Sequence, residues 1–196
     1  MKEKVLIGAG GFAREIMADM GVKLKLFVDD QYWQEGLFKI SELNPDLHTV
    51  LIAINDPHAR RQMAKKLPDG IDFWSHISKY AILLDPLIHF GVGSIICAGC
   101  IITTNVHIGN HVHVNIHSTI GHDSHISDFV SISPGVNISG NVFIDENVYI
   151  GSNASIREKI HIDSDIVIGM NGAVIKDLKS KGVYVGIPAN KKPNRN

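Results

Sequence analysis

The tripeptide Gly121-His122-Asp123 places an imidazole beside a carboxylate, and Gly140 follows eighteen residues after His122. A neutral imidazole, with an unperturbed pKa of about 6.5, can take a proton from an attacking amine or hydroxyl group. The neighbouring carboxylate would fix the tautomer of the imidazole, and a glycine N–H could hold an acyl oxygen as it gains charge. These residues indicate acyl transfer without a serine or cysteine nucleophile, and the alternative is an ordinary polar turn.

A strict six-residue repeat of large apolar residues would bring His122 and Gly140 together. Helices repeat near 3.6 residues and flat strands near 2, so neither produces a period of six. A chain wound into coils of three flat faces does, and each coil then takes eighteen residues. The pattern predicts a parallel β-helix, with neighbouring coils about 4.8 Å apart, rather than a β-sandwich. The ladder positions are Leu84, Phe90, Ile96, Ile102, Ile108, Val114, Ile120, Ile126, Ile132, Ile138, Ile144, Ile150, Ile156, Ile162, Ile168 and Val174.

Small or branched residues precede most ladder positions by two, and they should also point into the prism. Cys100 falls on such a position. The only two cysteines, Cys97 and Cys100, are therefore interpreted as packing residues rather than as a redox or metal pair. The spacing of His89, His107 and His125 by eighteen residues predicts a stacked column on one outer face.

The first eighty residues lack the ladder and alternate apolar strands with helical stretches, which predicts a small parallel α/β sheet. Strands are predicted at 4–7, 25–28, 49–54 and 71–74. Helices are predicted at 14–20 and at 57–67, the second with Asp56 as its cap and Pro57 as its first residue. The glycine turn between the first strand and helix could bring backbone amides to a phosphate, and Asp29 could hold a ribose hydroxyl. Only one mononucleotide half fits, which favours a nucleotide or nucleotide sugar over NAD. The alternative is a tight turn that binds nothing.

Composition excludes several classes of partner. The formal net charge of −1 argues against non-specific binding of nucleic acid. No apolar run reaches the length of a membrane span, so we expect no signal peptide, no membrane anchor and a cytoplasmic location.

The ladder, with Asn115, Gly121-His122-Asp123, Ser133-Pro134-Gly135-Val136 and the closing Gly186-Ile187-Pro188-Ala189, resembles the hexapeptide-repeat sugar acetyltransferases. The most similar group comprises nucleotide-amino-sugar N-acetyltransferases and sialic-acid O-acetyltransferases. The resemblance implies a Rossmann-like domain at residues 1–80 and a left-handed β-helix with a C-terminal tail at residues 81–196. It also implies a homotrimer with sites between subunits, acetyl-CoA as co-substrate without a metal, a sugar-nucleotide acceptor and a role in surface-glycan biosynthesis.

The resemblance also assigns roles to residues. His122 would be the general base, Asp123 its orienting acid and Asn115 a nearby polar contact. Two departures bear on these roles, because Ser131 and Phe12 stand where members of the family carry histidine. The predicted acetyl-CoA-binding residues are Gly140, Gly151, Ser152, Gly169 and Met170. The predicted substrate-binding residues are Gly8, Gly10, Gly11, Phe12, Asp29, Asp30 and Asn55.

Three alternatives to N-acetylation remain open at this point. One is an O-acetyltransferase of sialic acid or a related sugar. Another is a zinc-dependent trimer like the γ-class carbonic anhydrases, since zinc needs three or four converging ligands. The third is a nucleotide-binding scaffold without catalytic activity. The candidate zinc ligands are His107, His111, His113, His117 and His125.

Overall fold

A five-stranded parallel sheet with two helices forms the first part of the computed structural model, which describes residues 1–193. The elements are β1 (Glu3–Ile7), α1 (Gly11–Met20), β2 (Leu26–Val28), β3 (Phe38–Lys39), β4 (His48–Ile52), α2 (Pro57–Lys66) and β5 (Asp72–Phe73), with 3₁₀ turns at Asp30–Tyr32 and Ile40–Glu42. The strand order is β3-β2-β1-β4-β5. The order therefore reverses beside β1, which is where open α/β sheets bind ligands.

Local signals explain the ends of these elements. The Asp56 side chain accepts a hydrogen bond from the Ala59 N–H at 2.7 Å, and Pro57 is the first helical residue of α2, as the sequence predicts. Gly21, in the left-handed conformation, ends α1. The edge strand β3 was not predicted, because its two residues, Phe38 and Lys39, do not form an apolar run.

The second part is a triangular prism of stacked coils with three parallel sheets, which we name faces I, II and III in the order in which the chain visits them. Face I contains His76–Ile77, Ile95–Ile96, His113–Val114, Ser131–Ile132, Tyr149–Ile150, Ile166–Ile168, Gly182–Val185 and the antiparallel Asn190–Lys191. Face II contains Ile82–Leu83, Ile101–Ile102, Thr119–Ile120, Asn137–Ile138, Ser155–Ile156 and Ala173–Val174. Face III contains His89–Phe90, His107–Ile108, His125–Ile126, Phe143–Ile144 and His161–Ile162. Because His76–Ile77 already pairs with Ile95–Ile96, stacking begins before residue 81, and the division at residue 80 stays a prediction.

Each edge of the prism is turned by one residue in the left-handed region, and that residue recurs every six positions. Glycine, asparagine and aspartate tolerate this conformation best, which explains the polar residues between the ladder positions. The backbone N–H of the left-handed residue donates to a carbonyl of the preceding coil, as Asp123 does to Thr104 at 3.1 Å. The left-handed residues at the corners from 93 to 171 are Gly93, Gly99, Asn105, His111, His117, Asp123, Phe129, Gly135, Asn141, Asn147, Asn153, Lys159, Asp165 and Asn171.

The predicted ladder is confirmed from Phe90 onward, but its first position is wrong. From Ile96 to Val174 every ladder residue is buried. Leu84, however, is 58% exposed, and Leu83 instead pairs with Ile102. The first coil is one residue longer than the later ones. The additional residue lies in the turn that contains Asp85, between face II and face III.

Both helices of the first part pack against face I. Arg60 of α2 is fully buried in this contact, and no carboxylate pairs with it among the described residues. Its guanidinium donates to the Ile54 and His111 carbonyls at 2.7 and 2.9 Å and to the Ser131 hydroxyl at 2.9 Å. It also donates to the carbonyls of Asn55, Phe129 and Val130. Burial lowers the pKa of Arg60 to about 9, so the side chain stays charged at neutral pH.

We expect Arg60→Ala to lower the free energy of unfolding by about 3 kcal/mol or more, because it leaves several buried carbonyls without a donor. Urea unfolding followed by tryptophan fluorescence measures this loss. Arg61→Ala is the matched control, since Arg61 makes a half-exposed ion pair with Glu146 at 3.2 Å and should cost less than about 1 kcal/mol. Equal stabilities of the two variants would contradict the importance of the buried contact.

Candidate active site at an edge of the prism

His122 and Asp123 lie at the edge between faces II and III, after Thr119–Ile120 and before His125–Ile126. Asp123 is the left-handed residue of this corner, with φ of 59°, and the turn brings its carboxylate back to His122. The His122 Nδ1 atom lies 2.7 Å from Asp123 Oδ2, and the two side chains are 59% and 45% exposed. An ionised carboxylate can only accept, so Nδ1 donates and Nε2 keeps a free lone pair in the neutral ring.

The carboxylate of Asp123 is held from two sides. Its Oδ1 atom accepts a hydrogen bond from the Asn105 side-chain amide at 2.7 Å. This hydrogen bond, followed by the contact with His122, lowers the pKa of Asp123 below its ordinary value. Asp123 is therefore ionised at neutral pH and orients the imidazole.

Gly140 lies directly beneath the imidazole in the next coil. A Cβ atom on Gly140 would stand 2.6 Å from His122 Nε2, so only glycine leaves room for the ring in this position. The Asn141 N–H donates to the His122 carbonyl at 2.7 Å and fixes the register between the coils. Within residues 1–193 the Gly140 N–H has no acceptor, so a proton acceptor and a free amide meet at one exposed edge.

We expect Gly140→Ala to displace the imidazole and to lower turnover roughly 10²-fold while the fold is kept, because a displacement of about 1 Å at a reacting group has that effect. A double-mutant cycle checks the cause. Once His122 has been replaced by alanine, adding Gly140→Ala should change turnover little. A further large loss in that background would show that the new methyl group acts through something other than His122.

The other residues assigned to catalysis and acetyl-CoA lie on a different edge of the same chain. Asn115 is 8% exposed at the edge between faces I and II, where its side-chain oxygen accepts from the Ile116 N–H at 2.7 Å. Gly151 and Ser152 follow Tyr149–Ile150 at this edge, and Gly169 and the exposed Met170 follow Ile166–Ile168. In one chain, face II therefore separates these residues from His122 and Gly140.

A cavity of about 440 Å³ opens at the carboxyl ends of β1, β2 and β4, where the sequence predicts nucleotide binding. Gly8 and Asp29 line it. Gly8 has φ of 110°, and a Cβ atom there would stand 3.1 Å from the Ala53 carbonyl oxygen, so the turn requires glycine. Sequence reasoning missed Tyr32 and Lys66, which also line the cavity. Lys66 forms an ion pair with Asp29 from the far end of α2, and no local pattern signals it.

The remaining predicted substrate-binding residues do not line this cavity. Gly10 and Gly11 stand at the start of α1, and a Cβ atom on Gly10 would contact nothing within 4 Å. Asp30 lines an adjoining cavity of about 330 Å³ with Asp29. Phe12 packs against His113 on face I at 5.2 Å between ring centres, and Asn55 offers its carbonyl to Arg60 and to Ser131.

Among residues 1–193, the five histidines that could have bound zinc form no group with metal-ligand geometry, and His117 is a left-handed residue at the edge between faces I and II. His107 and His125 belong to the predicted column, where ring centres of neighbouring histidines lie 4.3 and 4.4 Å apart. His111 and His113 are buried against the first part of the chain, and burial lowers the pKa of both, to about 4 for His111. Within residues 1–193, the group with metal-ligand geometry is instead Asp145, His161 and Asp163. Cys97 and Cys100 are buried and unbonded to each other, consistent with packing.

The comparisons with known proteins agree with this geometry. No protein-family model and no curated protein matches the sequence. Among solved structures, the acetyltransferase domain of PglB from Neisseria gonorrhoeae in complex with acetyl coenzyme A is 25% identical, with a TM-score of 0.86 over 97% of this chain and 99% of that one. WeeI from Acinetobacter baumannii is 27% identical, with a TM-score of 0.86 over 98% and 100%. PerB from Caulobacter crescentus, in complex with CoA and GDP-perosamine, is 22% identical, with a TM-score of 0.85 over 98% of both chains.

These matches confirm the predicted fold, a Rossmann-like α/β unit followed by a left-handed parallel β-helix. They also confirm the resemblance to hexapeptide-repeat sugar acetyltransferases over nearly the whole chain. Between residues 1 and 193, no helix is both long enough and apolar enough to cross a bilayer.

Proposed function

We propose that this protein is an acetyl-CoA-dependent acyltransferase that acetylates the amino group of a nucleotide-linked sugar, in the synthesis of surface glycans. The observation that carries the proposal is the pairing of the oriented His122 imidazole with the free Gly140 amide. The bound acetyl coenzyme A of the similar PglB domain supports the donor. The cavity beside Gly8 and Asp29 supports a nucleotide on the acceptor.

The reaction follows from these positions. The acceptor amine attacks the thioester carbonyl carbon while His122 Nε2 takes its proton. The oxygen that gains charge accepts a hydrogen bond from the Gly140 N–H. Asp123 stabilises the imidazolium that forms. When the carbon–sulfur bond breaks, the imidazolium returns the proton to sulfur, and the amide and free CoA leave.

The active unit should be an oligomer, and the homotrimer implied by the resemblance satisfies this requirement. Face I carries the Rossmann-like unit, through Arg60 in α2 and through Asp19 in α1, which contacts His76 and Ser78. In a triangular prism, the edge that carries His122 lies opposite face I. An acceptor held in the nucleotide cavity therefore reaches the His122 of a second copy, and acetyl-CoA could then span the edges of two adjacent prisms.

We expect His122→Ala to lower turnover by roughly 10²–10⁴-fold, the usual contribution of a general base. Release of the CoA thiol from acetyl-CoA measures turnover with UDP-, dTDP- and GDP-linked 4-amino sugars as acceptors, and with sialic acid for O-acetylation. His161→Ala is the control, because His161 is also half-exposed and lies 3.1 Å from a carboxylate, that of Asp145.

Activity of a folded His122→Ala protein close to that of the control would remove His122 from the mechanism. Acetylation of sialic acid alone would replace the proposed acceptor with its O-linked alternative. Binding of acetyl-CoA without product from any acceptor would favour the non-catalytic scaffold.

A further inference from the structure

Asn105, at the corner one coil before Asp123, holds the proposed catalytic pair of His122 and Asp123 in place. Asn105 is the left-handed residue there, with φ of 53°, and it lies eighteen residues before Asp123. Its side-chain amide donates to Asp123 Oδ1 at 2.7 Å, while Asp123 Oδ2 contacts His122 Nδ1. Both carboxylate oxygens are thus engaged, which leaves the carboxylate little freedom to turn away from the imidazole.

Asn105 itself is fixed in an irregular way. At the regular corners, the N–H of the left-handed residue donates to a carbonyl of the preceding coil, as Asn141 does to His122. The first coil has one residue more than the others, and the Asn105 N–H instead donates to Asp85 Oδ2 at 3.0 Å. The other oxygen of Asp85 accepts from the Leu87 N–H at 2.8 Å. The turn that contains the extra residue, and that breaks the apolar ladder at Leu84, therefore also supplies the Asp85 carboxylate, which holds the backbone of Asn105 in place.

We infer that Asn105, seated by Asp85, is a positioning residue that holds the Asp123 carboxylate on His122 Nδ1 and so keeps Nε2 as the proton acceptor. This inference rests on the proposed function for its kinetic consequence, although the tautomer of His122 is independent of it. Other residues at corners of the same edge, Thr104, Gly140, Glu158 and Lys176, make no hydrogen bond to the Asp123 carboxylate.

The test compares Asn105 with Asn147, a left-handed asparagine at the edge between faces III and I. Asn147 also donates to an aspartate eighteen residues on, Asp165, at 3.3 Å, but it has no link to His122. Glycine occupies equivalent corners at Gly93 and Gly135, so Asn105→Gly and Asn147→Gly remove the amide without disturbing the turn.

We expect Asn105→Gly to lower kcat by about 10-fold, as the loss of a supporting hydrogen bond typically does, with the KM for acetyl-CoA unchanged. Asn147→Gly should leave kcat unchanged, even though Asn147 is the more buried of the two.

Asn105→Asp should lower kcat further. Its added negative charge favours the imidazolium, so the fall of kcat/KM on the acid side should move to higher pH. The charged and titratable groups that face the side chain at residue 105 are Asp85, Asp123 and His122.

A second readout needs no acceptor. Nitrogen-15 NMR of the full-length protein reports the tautomer of neutral His122, which should be Nδ1–H in the wild-type and Asn147→Gly proteins and a mixture in Asn105→Gly. An unchanged tautomer in Asn105→Gly would overturn the inference. If His122→Ala is inactive while Asn105→Gly and Asn147→Gly have the same kcat, the inference fails and the proposed function stands. If His122→Ala is fully active, the proposed function fails, and the tautomer of His122 alone decides the role of Asn105.

Discussion

The hydrogen bond between a left-handed corner residue and the preceding coil is the constraint on which the rest of the structure depends. At most corners it ties the N–H of the left-handed residue to the carbonyl nineteen positions earlier, and the parallel sheets of the three faces pair residues eighteen positions apart. Stacked coils about 4.8 Å apart bring chemical groups that are distant in sequence into van der Waals contact. The imidazole of His122 lies over Gly140 for this reason, and no loop has to close to bring them together.

The same constraint explains how much of the molecule could be predicted from the sequence. A period of six specifies which side chains point inward, so the buried ladder and the histidine column both follow from counting. The proximity of His122 and Gly140 follows from the same count. Counting fails where the period changes, and the extra residue in the first coil displaced the predicted position from Leu83 to Leu84. The packing of Arg60 against His111 and Ser131 joins parts of the chain with different periods, so no single pattern could have predicted it.

In the Rossmann-like unit, the sequence predicts the glycine turn but not the ion pair beside it. Gly8 was predictable, because a strand-to-helix turn with a positive φ requires glycine. The ion pair between Lys66 and Asp29 was not, since it depends on where the end of α2 falls relative to β2. Asp29 is thus already paired with a lysine. Lys66 adds a positive charge to the cavity in which we propose that a phosphate-bearing ligand binds.

The central claim is that the catalytic edge and the nucleotide cavity of one chain serve different sites, because they lie on opposite sides of the prism. Mixed oligomers of His122→Ala and Gly10→Asp subunits test it most directly. Aspartate at residue 10 would cap α1 but repel a phosphate, so each variant alone should be inactive yet folded. If sites form between copies and the oligomer is the proposed trimer, each mixed oligomer has one intact junction, and its activity should return to about one third of wild type. Mixed oligomers as inactive as either parent would contradict the account.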